Sequence, residues 1–485
     1  MKKFVKEYFY LILGILMSFV VFYPSLFAFF TNDDFYFLKI SRAFSFVQFL
    51  DFFNPIKNSA GFGMYRPLST QAYYFISWKF FNSQPYFLHV ISFLVFFGII
   101  LLVFRLGSSV TNSKKAGSIA AFIYALSATH FGNLYYLAAF QELAMTFFVL
   151  LSCLWFMKNK YWLSYVFFLL ALCSKETAVV APFLLSICYV AKLNTAKKKL
   201  DIKELLLKFL PFILTIAVYL FIRFRWYGIA SGDSYIWDFS PKKFVNTIFW
   251  YALWSLNLPE SLIDYIGPGI KVNATLFLYW KDQIIPILIA FFAEGILLAL
   301  ILFRSFTKAL DKNLDNSMSA FSITWFVVSL LPVAFLPLHK FSFYLTLPLV
   351  GIAIRIGYLL TETKTRELFI ILFLAVWTIT AVLTLKFTVQ TNWITQSEKV
   401  SKNAYVFFNN NSKQMQGKNI YFVDTVQDLT LPWSPTQTLK TILSDRNFFD
   451  VYFPSFTGGV KYVGLVGTIS DKNGFVVTSD KILGY

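Results

Sequence analysis

Thr31-Asn32-Asp33-Asp34-Phe35-Tyr36 follows directly on an apolar run over residues 8–30, and Met64-Tyr65-Arg66-Pro67-Leu68 comes shortly before the next such run. A helix needs about 20 apolar residues to cross about 30 Å of hydrocarbon, so the first run reads as a membrane span and the Asp pair as its exit. Carboxylates are costly to place near hydrocarbon and are functional candidates there. The other reading is that the pair only ends a helix at the water boundary.

Of the 485 residues 57% are hydrophobic and 14% charged, too few polar side chains to cover a soluble domain. The expected fold class is therefore an all-α polytopic membrane protein embedded in the lipid bilayer. Net charge is +18, but the basic residues gather in short gaps between apolar runs, which follows the positive-inside rule and argues against nucleic acid as a partner. Cys153, Cys173 and Cys188 lie within apolar runs and make no disulfide framework. The start, Met1-Lys2-Lys3, resembles the charged head of a signal peptide, but the run continues to Phe30 without a small-residue cleavage site and reads as a retained helix.

About eleven segments are long enough in apolar composition to be spans, at approximately 8–30, 86–104, 116–129, 137–157, 161–174, 177–192, 209–226, 284–303, 319–338, 341–360 and 368–387. Lys114, Lys115, Lys158, Lys160, Lys203, Lys208, Arg304 and Arg366 then share one side, which places the N-terminus in the cytoplasm of a multi-pass inner (plasma) membrane protein. Residues 1–387 read as the transmembrane domain. Two long extracytoplasmic loops, 31–85 and 227–283, carry aromatic runs at Phe44–Phe53 and Phe244–Leu256, suited to helices lying in the interface. Residues 388–485 turn polar and read as a small extracytoplasmic α/β domain, with strands at Ile420–Val423, Val460–Val466 and Phe475–Thr478 and a helix near Thr438–Phe449.

The topology gathers further polar residues on the outer side. Glu142 lies in Gln141-Glu142-Leu143, and Ser174-Lys175-Glu176-Thr177 joins two segments of only about 14 and 16 residues, about 21 and 24 Å. Lys175 and Glu176 are thus expected in a recess, either pairing with each other or facing a cavity. Arg223, Arg225 and the His339-Lys340 pair share that side. His89, His130 and His339 read as hydrogen-bonded polar residues rather than a metal cluster. Neither a divalent metal nor another cofactor is indicated. Glu294 falls mid-segment, either buried against a helix or lining a cavity.

Carboxylates and cations at one membrane face suit sugar transfer from a lipid-linked phosphate. Cations neutralise the departing phosphate, and one carboxylate takes the acceptor proton. The order Asp33-Asp34, Tyr65-Arg66-Pro67-Leu68, Pro85-Tyr86-Phe87-Leu88-His89, Ala128-Thr129-His130, Gln141-Glu142-Leu143 and Ser174-Lys175-Glu176-Thr177 with Pro182 resembles the GT-C superfamily of polyprenyl-phosphate-sugar glycosyltransferases. The likeness is to the protein O-mannosyltransferase branch and the transmembrane mannosyltransferases with tetratricopeptide repeats. It implies a GT-C-like bundle, an inverting hexosyl- or pentosyltransferase, and a polyprenyl-phosphate-linked sugar donor. The acceptor is a hydroxyl on a glycan, lipid or protein. By the same resemblance the first acidic residue, Asp33, is the base and Asp34 the second choice. Lys175 and Arg66 hold the donor phosphate with Arg223 supporting, and Lys340 is a weaker counterpart because Phe341 follows it where relatives carry Tyr. A non-catalytic transporter or flippase of a lipid-linked glycan, or an en bloc oligosaccharide transferase, is the alternative. Glu142, Glu176, His130, His339 and His89 complete the cavity candidates.

Overall fold

A computed structural model describes residues 2–58, 63–195, 201–229, 231–232, 234–267, 269, 271–307, 312–362, 366–425, 427–464, 469, 471 and 473–484. Among them, eight helices are long and apolar enough to cross a membrane, namely Glu7–Phe27, Pro85–Thr111, Leu137–Met157, Glu176–Asn194, Ile202–Tyr227, Thr275–Ser305, Asp315–Ala334 and Glu367–Thr391. Their outer faces are apolar: Leu206, Leu214 and Phe221 on one helix, and Ile289, Ile296 and Phe303 on another, are all well exposed. Water would penalise such surfaces, whereas lipid covers them without cost. The chain is a multi-pass helical membrane protein.

The expected eleven segments resolve into these eight and three shorter helices, Lys114–Ala125, Tyr161–Ser174 and Leu349–Glu362, of 12, 14 and 14 residues. At 1.5 Å per residue these reach only about 18–21 Å. The runs read at 116–129 and 341–360 overstate their helices. Residues 128–139 fold as the turns Ala128–His130 and Leu137–Ala139 around the short helix Phe131–Tyr135, and Ser342–Leu345 forms a separate turn. Every residue from 116 to 140 is buried inside protein. Apolar composition does not distinguish burial in protein from burial in lipid, so an apolar run such as 116–129 can lie wholly inside the bundle.

Lys114–Ala125 is central to the bundle, packed by Lys2–Phe22, Pro85–Thr111 and Leu349–Glu362. Glycines allow the approach: a Cβ on Gly117 would lie 2.5 Å from the Phe104 carbonyl oxygen, and one on Gly357 would lie 2.5 Å from that of Ala116.

The interfacial segments form as short helices. Phe46–Asp51 leaves Phe46, Val47 and Leu50 exposed, and Pro241–Trp254 buries Trp250, Tyr251 and Trp254 while exposing Val245 and Phe249. The last long helix ends at Thr391, and the Asn392 side chain caps the next, Trp393–Asn410, by accepting from the Ile394 amide at 2.9 Å. Beyond it, Ile420–Val423 is the central strand of a three-stranded parallel sheet between Val460–Tyr462 and Phe475–Thr478. All four residues of the central strand are buried, as both faces of a covered parallel strand should be. The run read at Val460–Val466 is strand only to Tyr462, and Leu465 and Val466 lie outside the described residues. The helix read near Thr438–Phe449 is two helices, Pro435–Ile442 and Asn447–Tyr452, because Ser444 and Asp445 turn to φ 52° and 57°.

This C-terminal region packs directly on the Asp33 loop. The Asn32 amide donates to the Ile442 carbonyl at 2.8 Å, Lys39 pairs with Asp450 at 2.9 Å, and Phe35 meets Phe448 edge-on at 5.3 Å.

Candidate active site

Asp33 and Asp34 open the helix Asp33–Ile40, whose free amides and dipole favour negative charge at that end. Asn32 takes φ 51°, a positive value that asparagine tolerates better than a branched residue. One residue apart, the two carboxylates point to different surroundings. Asp34 is buried and accepts hydrogen bonds from the Tyr74 hydroxyl and from the Thr31 amide at 2.9 Å. Burial raises its pKa to about 7. Asp33 instead faces a cavity from which it is accessible, with protein crowding its other sides. That crowding raises its pKa above the usual value, and Tyr136 and then Arg66 oppose the rise. The Tyr136 hydroxyl accepts from the Asp33 amide at 3.3 Å.

Lys175 and Glu176, read as a possible pair with each other, pair elsewhere. The Lys175 ammonium bonds Glu142, both side chains being almost fully buried, and lies over the Tyr344 ring at 4.6 Å. Glu176 takes Arg66 through one guanidinium edge, Nε at 2.6 Å and Nη2, while Arg66 Nη1 donates to Gln141. Such a two-point fork fixes orientation as well as charge. Arg223 stands 4.0 Å from Glu176 and donates to the Gly63 carbonyl at 3.2 Å, and its Nη1 is buried without a hydrogen-bond partner. Both arginines sit at π-helical turns, Arg66 just before Pro67–Ala72 and Arg223 opening Arg223–Tyr227. The extra residue in such a turn re-aims side chains and is common at functional sites.

Arg66, Lys175 and Glu176 stand between two adjoining cavities. One, of about 270 Å³, is polar and holds Asp33, Gln141, Glu142 and His339. The other, of about 260 Å³, holds Arg223 and is otherwise mostly apolar, walled by Leu220, Phe224, Trp237, Val333 and Leu336 from membrane helices and the second long loop. Tyr235 and Tyr344 line both. Three cations here, Arg66, Lys175 and Arg223, face three carboxylates: Arg66 takes Glu176, Lys175 takes Glu142, Asp33 stands open in the polar cavity, and Arg223, with one nitrogen unpartnered, stands where the apolar cavity begins.

The histidines go to three separate places. His339 lines the polar cavity and bonds Ser234 at 2.7 Å, and burial together with Lys175 and Arg66 lowers its pKa to about 4, so it is neutral near pH 7. His89 bridges the Leu134 and Ala28 carbonyls at 3.0 and 3.2 Å, and His130 bonds the Tyr124 carbonyl at 2.7 Å, both outside the two cavities. Among the described residues no group of three His, Cys, Asp or Glu side chains is placed to hold a metal ion. Lys340 does not join the cations: it reaches Asn246 at 3.3 Å and lines a different cavity. Glu294 is buried mid-helix beside Thr380 and Asn257.

Sequence reasoning missed Tyr136, which contacts Asp33, Tyr235 in the second loop, and Trp393, which closes the polar cavity. With 20% of the chain aromatic, no signal singles them out. No family model, curated protein or solved structure matches the chain. Fold and site define a multi-pass helical membrane protein with a charged cavity at one end of its bundle, adjoining an apolar one.

Proposed function

We propose that this chain is a membrane glycosyltransferase of GT-C type, which moves one sugar from a polyprenyl-phosphate donor to an acceptor hydroxyl. The observation that carries this reading is the pair of adjoining cavities, with an exposed carboxylate in the polar one and the Arg223 guanidinium, one nitrogen of it unpartnered, at the apolar one. A polyprenyl-phosphate sugar is a phosphodiester with one negative charge and an apolar tail, so it matches an incompletely partnered guanidinium beside an apolar wall. Arg223, with an unpartnered buried nitrogen, Arg66 and Lys175 face the phosphate, and the sugar enters the polar cavity.

The reaction is then a single displacement. The acceptor oxygen attacks the anomeric carbon as Asp33 takes its proton, and the bond from that carbon to the phosphate oxygen breaks. The electron pair leaves on polyprenyl phosphate, whose added charge the three cations stabilise, and the anomeric carbon inverts. Asp34, held by Tyr74 and Thr31, positions the helix that presents Asp33.

The site lies extracytoplasmically in this reading, because the basic gaps lie at the opposite end of the helices. Cysteine placed at Ile56 or Asn473, both exposed at the Asp33 end, is expected to react with an impermeant maleimide on intact cells, and cysteine at Lys160 only after lysis. Protection at both former positions reverses the orientation.

The activity is tested with purified protein in liposomes given labelled polyprenyl-phosphate sugars, following both release of polyprenyl phosphate and movement of intact donor across the bilayer. Release with an inverted product supports the transferase. Movement without release supports a carrier, for which the buried Glu294 within the membrane is the one favourable feature.

A further inference from the structure

The largest of the cavities described lies on the far side of an aromatic wall from Asp33. It measures about 550 Å³ and is lined by Glu260, Asp264 and Lys340, with Phe341 and Trp393 on the wall. The same two rings line the Asp33 cavity. Trp393 meets Tyr136 edge-on at 5.4 Å, and Tyr136 contacts the Asp33 amide, so this path from the chamber to the base runs through two rings. The volume is that of a small-ligand site.

Its polar groups are built for hydroxyls. Glu260 is anchored, one carboxylate oxygen accepting from the Ser342 amide at 2.6 Å. Asp264 is exposed, and among the described residues neither it nor Lys340 makes an ion pair. Two carboxylates accept from O–H donors as short charge-assisted hydrogen bonds, and an ammonium donates to ring or hydroxyl oxygens. Trp393, about a third exposed at 37%, offers an indole face to an apolar C–H surface. A carbohydrate ring supplies all three: several hydroxyls, ring oxygen and a C–H face. With two acids to one base the chamber repels a phosphate.

The geometry points to a carbohydrate-binding chamber formed by Glu260, Asp264, Lys340 and Trp393, which presents a glycan hydroxyl to Asp33 past the Phe341–Trp393 wall. Calling that glycan the acceptor rests on the transferase reading; the binding of carbohydrate does not.

The experiment uses full-length protein in nanodiscs and a panel of methyl hexosides and methyl disaccharides. Binding is read by saturation-transfer NMR and, where transfer occurs, by acceptor KM. At least one glycoside is expected to bind the parental protein and Asp33→Asn alike. Asp264→Asn and Trp393→Leu are each expected to weaken it tenfold or more, and Asp264→Asn, at an exposed carboxylate, keeps the test open if Trp393→Leu fails to fold. No binding by any glycoside, or binding unmoved by either folded variant, overturns the chamber. So does saturation of the same residues by a prenol or a serine peptide in place of the glycosides. Glycoside binding with this sensitivity, but no consumption of any polyprenyl-phosphate sugar, keeps the chamber and removes the transferase reading.

Discussion

Asp33→Asn is expected to insert and fold normally, to bind the polyprenyl-phosphate donor as the parent does, and to lose sugar transfer by a factor of about 100 to 10,000. The amide keeps the size and hydrogen-bonding capacity of the carboxylate but takes up no proton. Asp33 faces the cavity and stands outside the buried ion pairs, so stability should change little. Asp34→Asn should behave differently. Its carboxylate receives both the Tyr74 hydroxyl and the Thr31 amide, and an amide nitrogen in place of one oxygen sets donor against donor, at a cost of about 1–3 kcal/mol. Its transfer loss should be smaller and accompanied by a lower unfolding temperature. The pH profile carries the same signature. A base works deprotonated, so the rate rises with pH through the Asp33 pKa, and because the protein crowding the carboxylate raises that pKa the acid limb should lie above the range of an ordinary aspartate. Paired measurements of transfer and donor binding on one preparation check this. Parental transfer rates in Asp33→Asn would remove the base, and with it the proposed chemistry.

Lys175→Ala is expected to lower stability by about 3–5 kcal/mol, because it leaves Glu142 charged and alone in the interior. That loss says nothing about the donor, so the informative variant is Lys175→Ala with Glu142→Gln. Removing both charges should return most of the unfolding temperature. If Lys175 also contacts the donor phosphate, the double variant still binds donor about tenfold or more weakly, in line with the 1.5–3 kcal/mol typical of a hydrogen bond to a charged group. Arg66→Ala should weaken donor binding as well, while Arg66→Lys keeps the charge and loses the fork with Glu176. Thermal unfolding in detergent beside binding of labelled donor separates the two contributions. Donor affinity at the parental level in the refolded double variant would make Lys175–Glu142 a structural pair only.

The membrane class was legible in composition alone, and the helices from Pro85, Ile202, Thr275 and Glu367 were legible as long apolar runs, because a span needs length and hydrophobicity and nothing else. Asp33 and Asp34 were equally legible as an acidic pair at a span's exit. Their different surroundings were not, since these depend on Tyr74 and Tyr136, 40 and 103 residues away in the chain. Nor could spacing show that Glu176 belongs to Arg66 and Lys175 to Glu142, partners 110 and 33 residues apart. Residues 116 to 140, apolar enough to resemble lipid-facing helix, are buried in protein, and only packing shows it. Lys340, one residue from the cavity-lining His339, turns into another chamber, because a turn sends adjacent side chains in different directions. Local composition thus determined what this chain must dissolve in and where its charges lie along it. Which charges meet, which carboxylate stays open and which rings wall the cavities were decided by tertiary packing, because each depends on contacts between helices that no local run of residues encodes.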